Sequence, residues 1–270
     1  MNWYRVPALA NPCYAETSNE AAMQIWTPIA LLSLMMQAAA APPAASLTGI
    51  LGNVSGNVKE SQASLPDFLC NERVTSTAYR SGKRRDEKIV ESIYSVQKSR
   101  EHREILAIDG KTAKKGAKMP GLPVNITGSF NYMINTTFSP EMLQWYAFMQ
   151  NPEEAGRLVV QYETKSDQRA MTWNINGDQK VAHDTGKAWI DPAAMQVARF
   201  ERNLLNIGRI SAWKITIDQS PFPIGERQFW LPKSFLTEII ESDPRDTGTF
   251  LAEYSNCKKF TTEVQIRVQQ

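Results

Sequence analysis

Histidine is scarce in this sequence, and the short motifs that mark common enzyme sites are missing from it. The 270 residues include two histidines, His102 and His183. There is no nucleophile elbow, phosphate-binding loop, His-Glu-x-x-His zinc motif or dinucleotide-binding glycine motif. His183 precedes Asp184, but adjacent strand residues point to opposite faces and rarely form an oriented catalytic dyad. The sequence therefore predicts a protein that is not an enzyme, with a hydrolase of unfamiliar type as the less favoured alternative.

An excess of charge of one sign is also lacking. The chain has 30 Lys and Arg residues against 28 Asp and Glu residues, which gives a net charge of +2. Proteins that bind nucleic acid usually show a basic face or a high isoelectric point. The short basic runs at 83–85 and 111–118 are typical of solvated loops. We therefore expect no nucleic-acid partner.

An apolar run, Ile25 to Ala41, reads IWTPIALLSLMMQAAAA and ends in a small-x-small pattern. Such a run predicts a secretory signal, with cleavage near Ala40. Because no Lys or Arg lies between Met23 and the run, either Met23 is the true start or Arg5 supplies the basic residue. The alternative is a retained N-terminal anchor, although a spanning helix needs about 20 apolar residues. We expect residues 1–41 to be a signal peptide or N-terminal extension, and the mature protein to be periplasmic or secreted.

Cysteine is rare, with three residues in the chain. Removal of the signal would remove Cys13 and leave Cys70 and Cys257 in an oxidising compartment. The sequence therefore predicts a disulfide between them, and the alternative is two separate buried thiols. Two distant thiols with two histidines make a poor zinc site, so we expect no metal and no cofactor.

Residues 42–63 are rich in Ala, Gly, Ser and Asn, which predicts a flexible linker. Ser64-Leu65-Pro66-Asp67 has the pattern of a helix start, and it predicts a short helix there. A second short helix is predicted within 128–139, with Phe130, Met133, Ile134 and Phe138 on one side. We expect 64–270 to form a single domain.

From Asn71 onward, apolar and polar residues alternate, as in the run Leu143, Trp145, Ala147 and Met149. Strict alternation is typical of antiparallel strands with one buried and one wet face. The alternating segments are 73–79, 87–97, 103–108, 143–149, 158–162, 171–175, 186–191, 196–202, 213–217, 229–231, 250–254 and 264–268. So many strands exceed what a flat sheet holds comfortably, so we predict a large curved antiparallel sheet in a mainly β (α+β) protein.

Large apolar side chains recur within these strands and predict a concave apolar face that a ligand could cover. The candidate ligand-binding residues are Trp145, Met171, Trp173, Trp189, Trp213 and Phe229. The alternative for each of them is an ordinary place in the core. Trp230 is out of phase with Phe229, which predicts that it lies on the other face.

Two stretches resemble a known family. Trp189 to Arg199 (WIDPAAMQVAR) resembles the Asp-Pro hairpin of the periplasmic lipoprotein carriers LolA and LolB and their relative RseB, and Gln228 to Pro232 (QFWLP) resembles a later strand of that family. The likeness is greatest to uncharacterised secreted members from Acidobacteria. The resemblance implies an unclosed half-barrel with one or two lid helices, and a cavity that receives acyl chains.

The function expected from these patterns is a non-catalytic envelope protein that binds an apolar ligand in the concave face. The implied partner is a lipid, an acyl chain or a lipoprotein, as in outer-membrane lipoprotein sorting. The alternative is an interaction or regulatory module with a filled core that contacts another envelope protein. An open apolar face would favour the first, and a solidly packed one the second.

Overall fold

The computed structural model describes residues 46–98, 100–125, 132–165, 171–175 and 178–261, all within one compact unit. The predicted signal run, Phe130 and the predicted strand at 264–268 lie outside the described residues.

Strands dominate the described part of the chain, as predicted. The helices are α1 (Leu47–Ser64), α2 (Tyr132–Phe138) and a 3₁₀ turn (Leu143–Trp145). The strands of the first half are β1 (Phe68–Arg80), β2 (Lys83–Gln97), β3 (Arg100–Ile108), β4 (Lys111–Thr112), β5 (Tyr146–Glu154) and β6 (Arg157–Thr164). Those of the second half are β7 (Met171–Ile175), β8 (Asp178–Ala182), β9 (Asp184–Asp191), β10 (Gln196–Ile207), β11 (Ile210–Ile224), β12 (Arg227–Glu241) and β13 (Thr247–Lys259).

Eleven strands form one antiparallel sheet in the order β4-β3-β2-β1-β13-β12-β11-β10-β9-β6-β5, and β7 and β8 pair separately. Its edge strands, β4 and β5, do not pair with each other, so the sheet is not closed into a barrel. Register shifts interrupt several strand pairs, including β1 with β13 and β11 with β12. Because such bulges bend strands and increase their twist, they account for the curvature of the sheet.

Residues 47–63, predicted as part of a flexible linker, form a helix instead, and the predicted helix start at Ser64 is wrong. Helix α1 occupies Leu47–Ser64, capped by Ser46, whose Oγ accepts a hydrogen bond from the Gly49 N–H at 3.2 Å. Pro66 ends this helix rather than starting one, because proline forces the preceding Leu65 out of the helical region.

The alternation predicted for 143–149 has the opposite phase in the structure. The 3₁₀ turn ends at Trp145, and Tyr146 rather than Trp145 begins the inward set of β5. Tyr146 is buried, whereas Met149 is 46% exposed. A turn before the strand adds residues that shift every later side chain to the other face.

The predicted disulfide is present. Cys70 and Cys257 are bonded; their Cα atoms are 4.1 Å apart, and the two residues are 187 positions apart in the chain. Cys70 lies at the bulge where the register of β1 and β13 shifts. The bond therefore joins β1, the first strand of the sheet in chain order, to β13, the last one, and these two strands are neighbours in the sheet.

Candidate apolar binding face

Inward residues of β6, β9, β10 and β11 form an apolar wall on the sheet. Together with α1 and α2, this wall makes up what we call the first apolar cluster. Its fully buried members include Ile50, Phe138, Val160, Ala188, Ile190, Phe200, Leu204, Ile215 and Ile217. A second apolar cluster, around Phe68, Val74, Val90 and Leu231, lies on β1, β2 and β12 under the segment 113–124. Phe235 packs against both clusters.

Helix α1 covers the apolar wall of the sheet through one stripe of side chains. Ile50, Val54 and Val58, spaced by four residues, are at most 7% exposed. The outer contacts of the helix are polar: Asn57 Nδ2 donates to the main-chain oxygens of Ala194 and Met195 in the β9–β10 turn, at 3.1 and 2.9 Å. The helix is therefore held by apolar burial and clamped at its rim to a hairpin.

A second rim contact joins α1 to the β11–β12 hairpin. Glu60 Oε1 lies 2.6 Å from Arg227 Nη2, and both side chains are more than half exposed. Exposed ion pairs stabilise a contact by about 0–1 kcal/mol. This pair therefore adds little to what holds the helix in place.

Ser55 is the exception on the buried side of α1. The residue is 4% exposed, and its hydroxyl has no hydrogen-bond partner among the described residues. A buried hydroxyl without a partner costs about 1–3 kcal/mol. An acceptor on a bound molecule, such as an ester carbonyl, would satisfy it.

Tyr162 is part of the wall, and the position of its side chain requires a glycine, Gly186, opposite it on β9. Its ring stacks on Phe200 with centroids 5.5 Å apart, and its hydroxyl donates to the main-chain oxygen of Glu201 at 3.0 Å. A Cβ at Gly186 would lie 1.9 Å from that same oxygen and 2.5 Å from Tyr162 Oη. Burial raises the pKa of Tyr162 above its usual value, so the hydroxyl stays protonated.

A fully buried ion pair lies inside the apolar wall. Asp184 Oδ2 is 2.6 Å from Arg202 Nε, and neither side chain is exposed. Thr164 Oγ1 donates to Asp184 Oδ1 at 2.5 Å, and Arg202 Nη2 donates to Thr137 Oγ1 of α2 at 2.5 Å. Burial lowers the pKa of Arg202, but attraction from Asp184 and the other groups around it outweighs this effect and raises the net pKa. The pair thus ties α2 to the sheet through charged hydrogen bonds.

The predicted binding residues are only partly brought together. Trp213 is 6% exposed in the first apolar cluster, and its Nε1 donates to Thr237 Oγ1 at 2.9 Å. Trp145 is half-buried and packs against the same cluster. These two residues share the wall.

The other four are placed elsewhere. Phe229 is buried in the second apolar cluster. Trp189 lies on the opposite face, between the buried Ala188 and Ile190, with its Nε1 2.7 Å from Glu154 Oε2. Met171 and Trp173 lie on β7, and their side chains are outside the described residues.

Trp189 takes part in a charged outer surface. The Arg199 guanidinium carbon is 5.5 Å from the ring centroid, and Lys187 Nζ is 6.0 Å from it. Such geometry is typical of cation–π contacts at a wet surface. The sheet register puts Trp189 opposite Arg199, out of phase with Phe200.

The sequence contains a signal for the buried ion pair, although the pattern of apolar positions does not include it. Arg202 alternates in phase with the buried Phe200 and Leu204. A charged residue at an inward position indicates a buried, paired charge, because an unpaired one is too costly. The sequence contains no such signal for the buried hydroxyl of Ser55, because that residue lies in a segment with a weak helical pattern.

A second buried carboxylate lies beyond the first cluster. Glu72 on β1 accepts two hydrogen bonds from Arg103, at 2.8 and 3.0 Å, and one from Ser92 at 2.7 Å. The Arg103 guanidinium lies 4.8 Å from the Tyr94 ring centroid. Burial lowers the pKa of Arg103, but the bonds to Glu72 outweigh it and raise the net value. A pocket of about 500 Å³ opens beside this group, also lined by Leu106.

Within the described ranges, no group of three or more His, Cys, Asp or Glu side chains is placed to hold a metal ion. Across the same residues, no helix combines the length and apolarity needed to cross a membrane.

Comparison with solved structures shows a remote similarity. The chain is similar to a DUF1329 family protein from Desulfovibrio piger, with a TM-score of 0.35 and 10% sequence identity over 82% of this chain and 97% of that one. No protein-family model matches the chain, and no curated protein matches it.

Proposed function

We propose that this chain is a non-catalytic protein of the bacterial cell envelope that binds a lipid or the acyl chain of a lipoprotein beneath α1. The observation that carries the proposal is the apolar wall of the sheet, roofed by a helix with a partnerless buried hydroxyl at Ser55. Such a wall offers an acyl chain an apolar surface once the helix lifts. Trp145 and Trp213 would then line the bound chain.

The apolar burial that holds α1 can be compared with the burial that an acyl chain would gain in its place. Burial of an aliphatic side chain contributes about 1.5–3 kcal/mol, so Ile50, Val54 and Val58 together hold α1 by about 5–9 kcal/mol. An acyl chain gains about 0.8 kcal/mol for each buried methylene, so one of about 14 carbons gains roughly 10 kcal/mol. The apolar burial that a long acyl chain gains is therefore comparable to that of the helix stripe, whereas a short chain gains less.

Two further features support the proposed location in the cell envelope. The Cys70–Cys257 disulfide is of a kind that persists in oxidising compartments. The apolar run at 25–41 has the pattern of an export signal. The resemblance of the Asp-Pro hairpin and the QFWLP stretch to lipoprotein carriers points to the same compartment.

One observation favours the second candidate, an interaction module with a filled core. Trp213 is 6% exposed and its indole N–H is already bonded to Thr237, so it presents no open surface while α1 is docked. In such a module, the outer strands would contact another envelope protein. The two candidates differ in whether α1 can leave the wall.

The deciding experiment is solvent extraction and mass spectrometry of protein purified from the envelope, with tryptophan emission followed during titration with palmitate. We expect co-purifying lipid and a saturable change in emission, because Trp213 lies in the wall. Absence of both would contradict the carrier and support the filled module.

The lid itself is tested by Asn57→Ala, which removes both hydrogen bonds to the β9–β10 turn. We expect faster uptake of palmitate in this variant, because the rim clamp is lost while the apolar stripe remains. The matched control is Asn53→Ala, on the exposed side of the same helix. Equal uptake rates for both variants would rule out α1 as the lid.

A further inference from the structure

A second pocket lies where four strands end together. The start of β1, the end of β2, the start of β3 and the end of β13 meet there, since Phe68 pairs with both Val96 and Lys259, and Arg100 pairs with Gln97. We call it the strand-end pocket. Its volume is about 740 Å³, and its lining residues are Asp67, Gln97, Lys98, Arg100, His102 and Phe260.

Asp67 builds the frame of this pocket. Its main-chain oxygen accepts a hydrogen bond from the Phe260 N–H at 2.8 Å, and its Oδ1 accepts one from the Lys98 N–H, also at 2.8 Å. These bonds hold the β2–β3 turn against the end of β13. Asp67 is the one acid among the described lining residues; its carboxylate binds main-chain nitrogen and takes part in no ion pair within the described ranges.

Among the described residues, no acidic side chain pairs with the basic side chains of the pocket. Lys98, Arg100 and His102 take part in no ion pair within the described ranges, whereas Arg73, Arg103 and Arg227 are all paired. Arg100 and His102 are two positions apart on β3, so they project to the same face. With His102 neutral, the lining still carries one more positive charge than negative.

These features match the chemistry of a phosphate group. Arginine donates two parallel hydrogen bonds to phosphate oxygens, and lysine adds a point charge. The volume is in the range of small-molecule sites of about 300–1,000 Å³, so inorganic phosphate alone would fill little of it. Phe260 supplies an apolar wall for the organic part of a ligand.

We propose that the strand-end pocket binds a phosphate ester, with Arg100 as the bidentate donor, Lys98 as the second cation and His102 as a further N–H donor. The pocket is separate from the acyl-chain site proposed under α1, because it involves neither that helix nor the first apolar cluster. The phosphate ester belongs either to a lipid headgroup or to a soluble molecule.

The test uses the full chain and three probes: inorganic phosphate, glycerol 3-phosphate, and vesicles of phosphatidylglycerol mixed with phosphatidylcholine. Calorimetry measures the soluble probes, and vesicle co-sedimentation measures the third against phosphatidylcholine alone. We expect the ester or the mixed vesicles to bind more tightly than inorganic phosphate. The double variant Lys98→Gln/Arg100→Gln should weaken that binding roughly tenfold or more, because two charge-assisted contacts are lost.

The matched control is Lys83→Gln/Arg85→Gln, which removes the same charge from exposed residues at the opposite end of β2. Binding of vesicles but not of glycerol 3-phosphate assigns the pocket to a lipid headgroup, and the reverse assigns it to a soluble ester. Equal weakening by both double variants would show general charge attraction and overturn the pocket. Absence of binding by all three probes would overturn it as well.

Discussion

At the scale of single residues, burial of a charged side chain is costly, and Asp184 and Arg202 offset this cost by pairing with each other. Taking two charges out of water costs several kcal/mol for each ion, which is recovered only with good geometry and extra hydrogen bonds. Thr164 and Thr137 supply those bonds at 2.5 Å each. The network therefore fixes the position of α2 more than it adds net stability.

Asp184→Ala should destabilise the protein by about 3–5 kcal/mol, because it leaves Arg202 buried without its counter-charge. The free energy of unfolding in urea measures this. The double variant Asp184→Ala/Arg202→Met should recover part of the loss, since the orphaned charge is gone. Glu91→Ala, which breaks the half-exposed pair with Arg73, should cost about 0–1 kcal/mol. If the two single variants cost the same, the Asp184–Arg202 pair is not buried in the folded protein.

At the scale of elements, the strands were predictable and α1 was not. Alternation of period two fixes a strand locally, so β6, β9 and β11 could be recognised from their own residues. The α1 segment, LTGILGNVSGNVKESQAS, is rich in residues with low helix propensity, including three glycines. Its helix is stabilised by the wall that it covers, and that wall comes from strands more than a hundred residues away.

The binding residues were only partly predictable for a related reason. Alternation shows which residues share a face, but not which face is covered. Trp189 has the same apolar character as Trp213, yet the bulge between Val197 and Arg199 and the pairing of β9 with β10 set it on the outer face. The register of β9 with its neighbours β6 and β10 decides this, and a single sequence does not show it.

Gly52→Ala and Gly56→Ala should each stabilise the protein by roughly 0.5–1 kcal/mol, because alanine has the higher helix propensity. A Cβ at either position would meet no atom within 4 Å, so no clash opposes the gain. Thermal unfolding followed by circular dichroism measures the change. Gly186→Ala is the opposite control, since its Cβ would lie 1.9 Å from the Glu201 oxygen and should destabilise the sheet. A loss of stability at Gly52 or Gly56 would contradict the docked, solvent-facing geometry of α1.

At the scale of the whole molecule, the two edge strands of the sheet do not pair with each other, and the disulfide links two strands in the middle of the sheet. The Cys70–Cys257 bond links neighbouring strands β1 and β13, which are 187 positions apart in the chain. The loop that it closes contains the strands from β2 to β12. The bond therefore closes a loop that spans about two thirds of the unfolded chain.

Loss of this disulfide should lower the free energy of unfolding by up to about 5 kcal/mol, because the loop-entropy cost grows with the logarithm of loop length. Urea unfolding of Cys70→Ser, Cys257→Ser and the double variant measures the loss, with a thiol assay on the unmodified protein. All three variants should lose similar amounts, since each removes the same bond. Reductant should bring the unmodified protein to their level and leave the double variant unchanged. If Cys70 and Cys257 of the unmodified protein are free thiols, or if reductant does not alter its stability, then β1 and β13 are held together by pairing and packing alone.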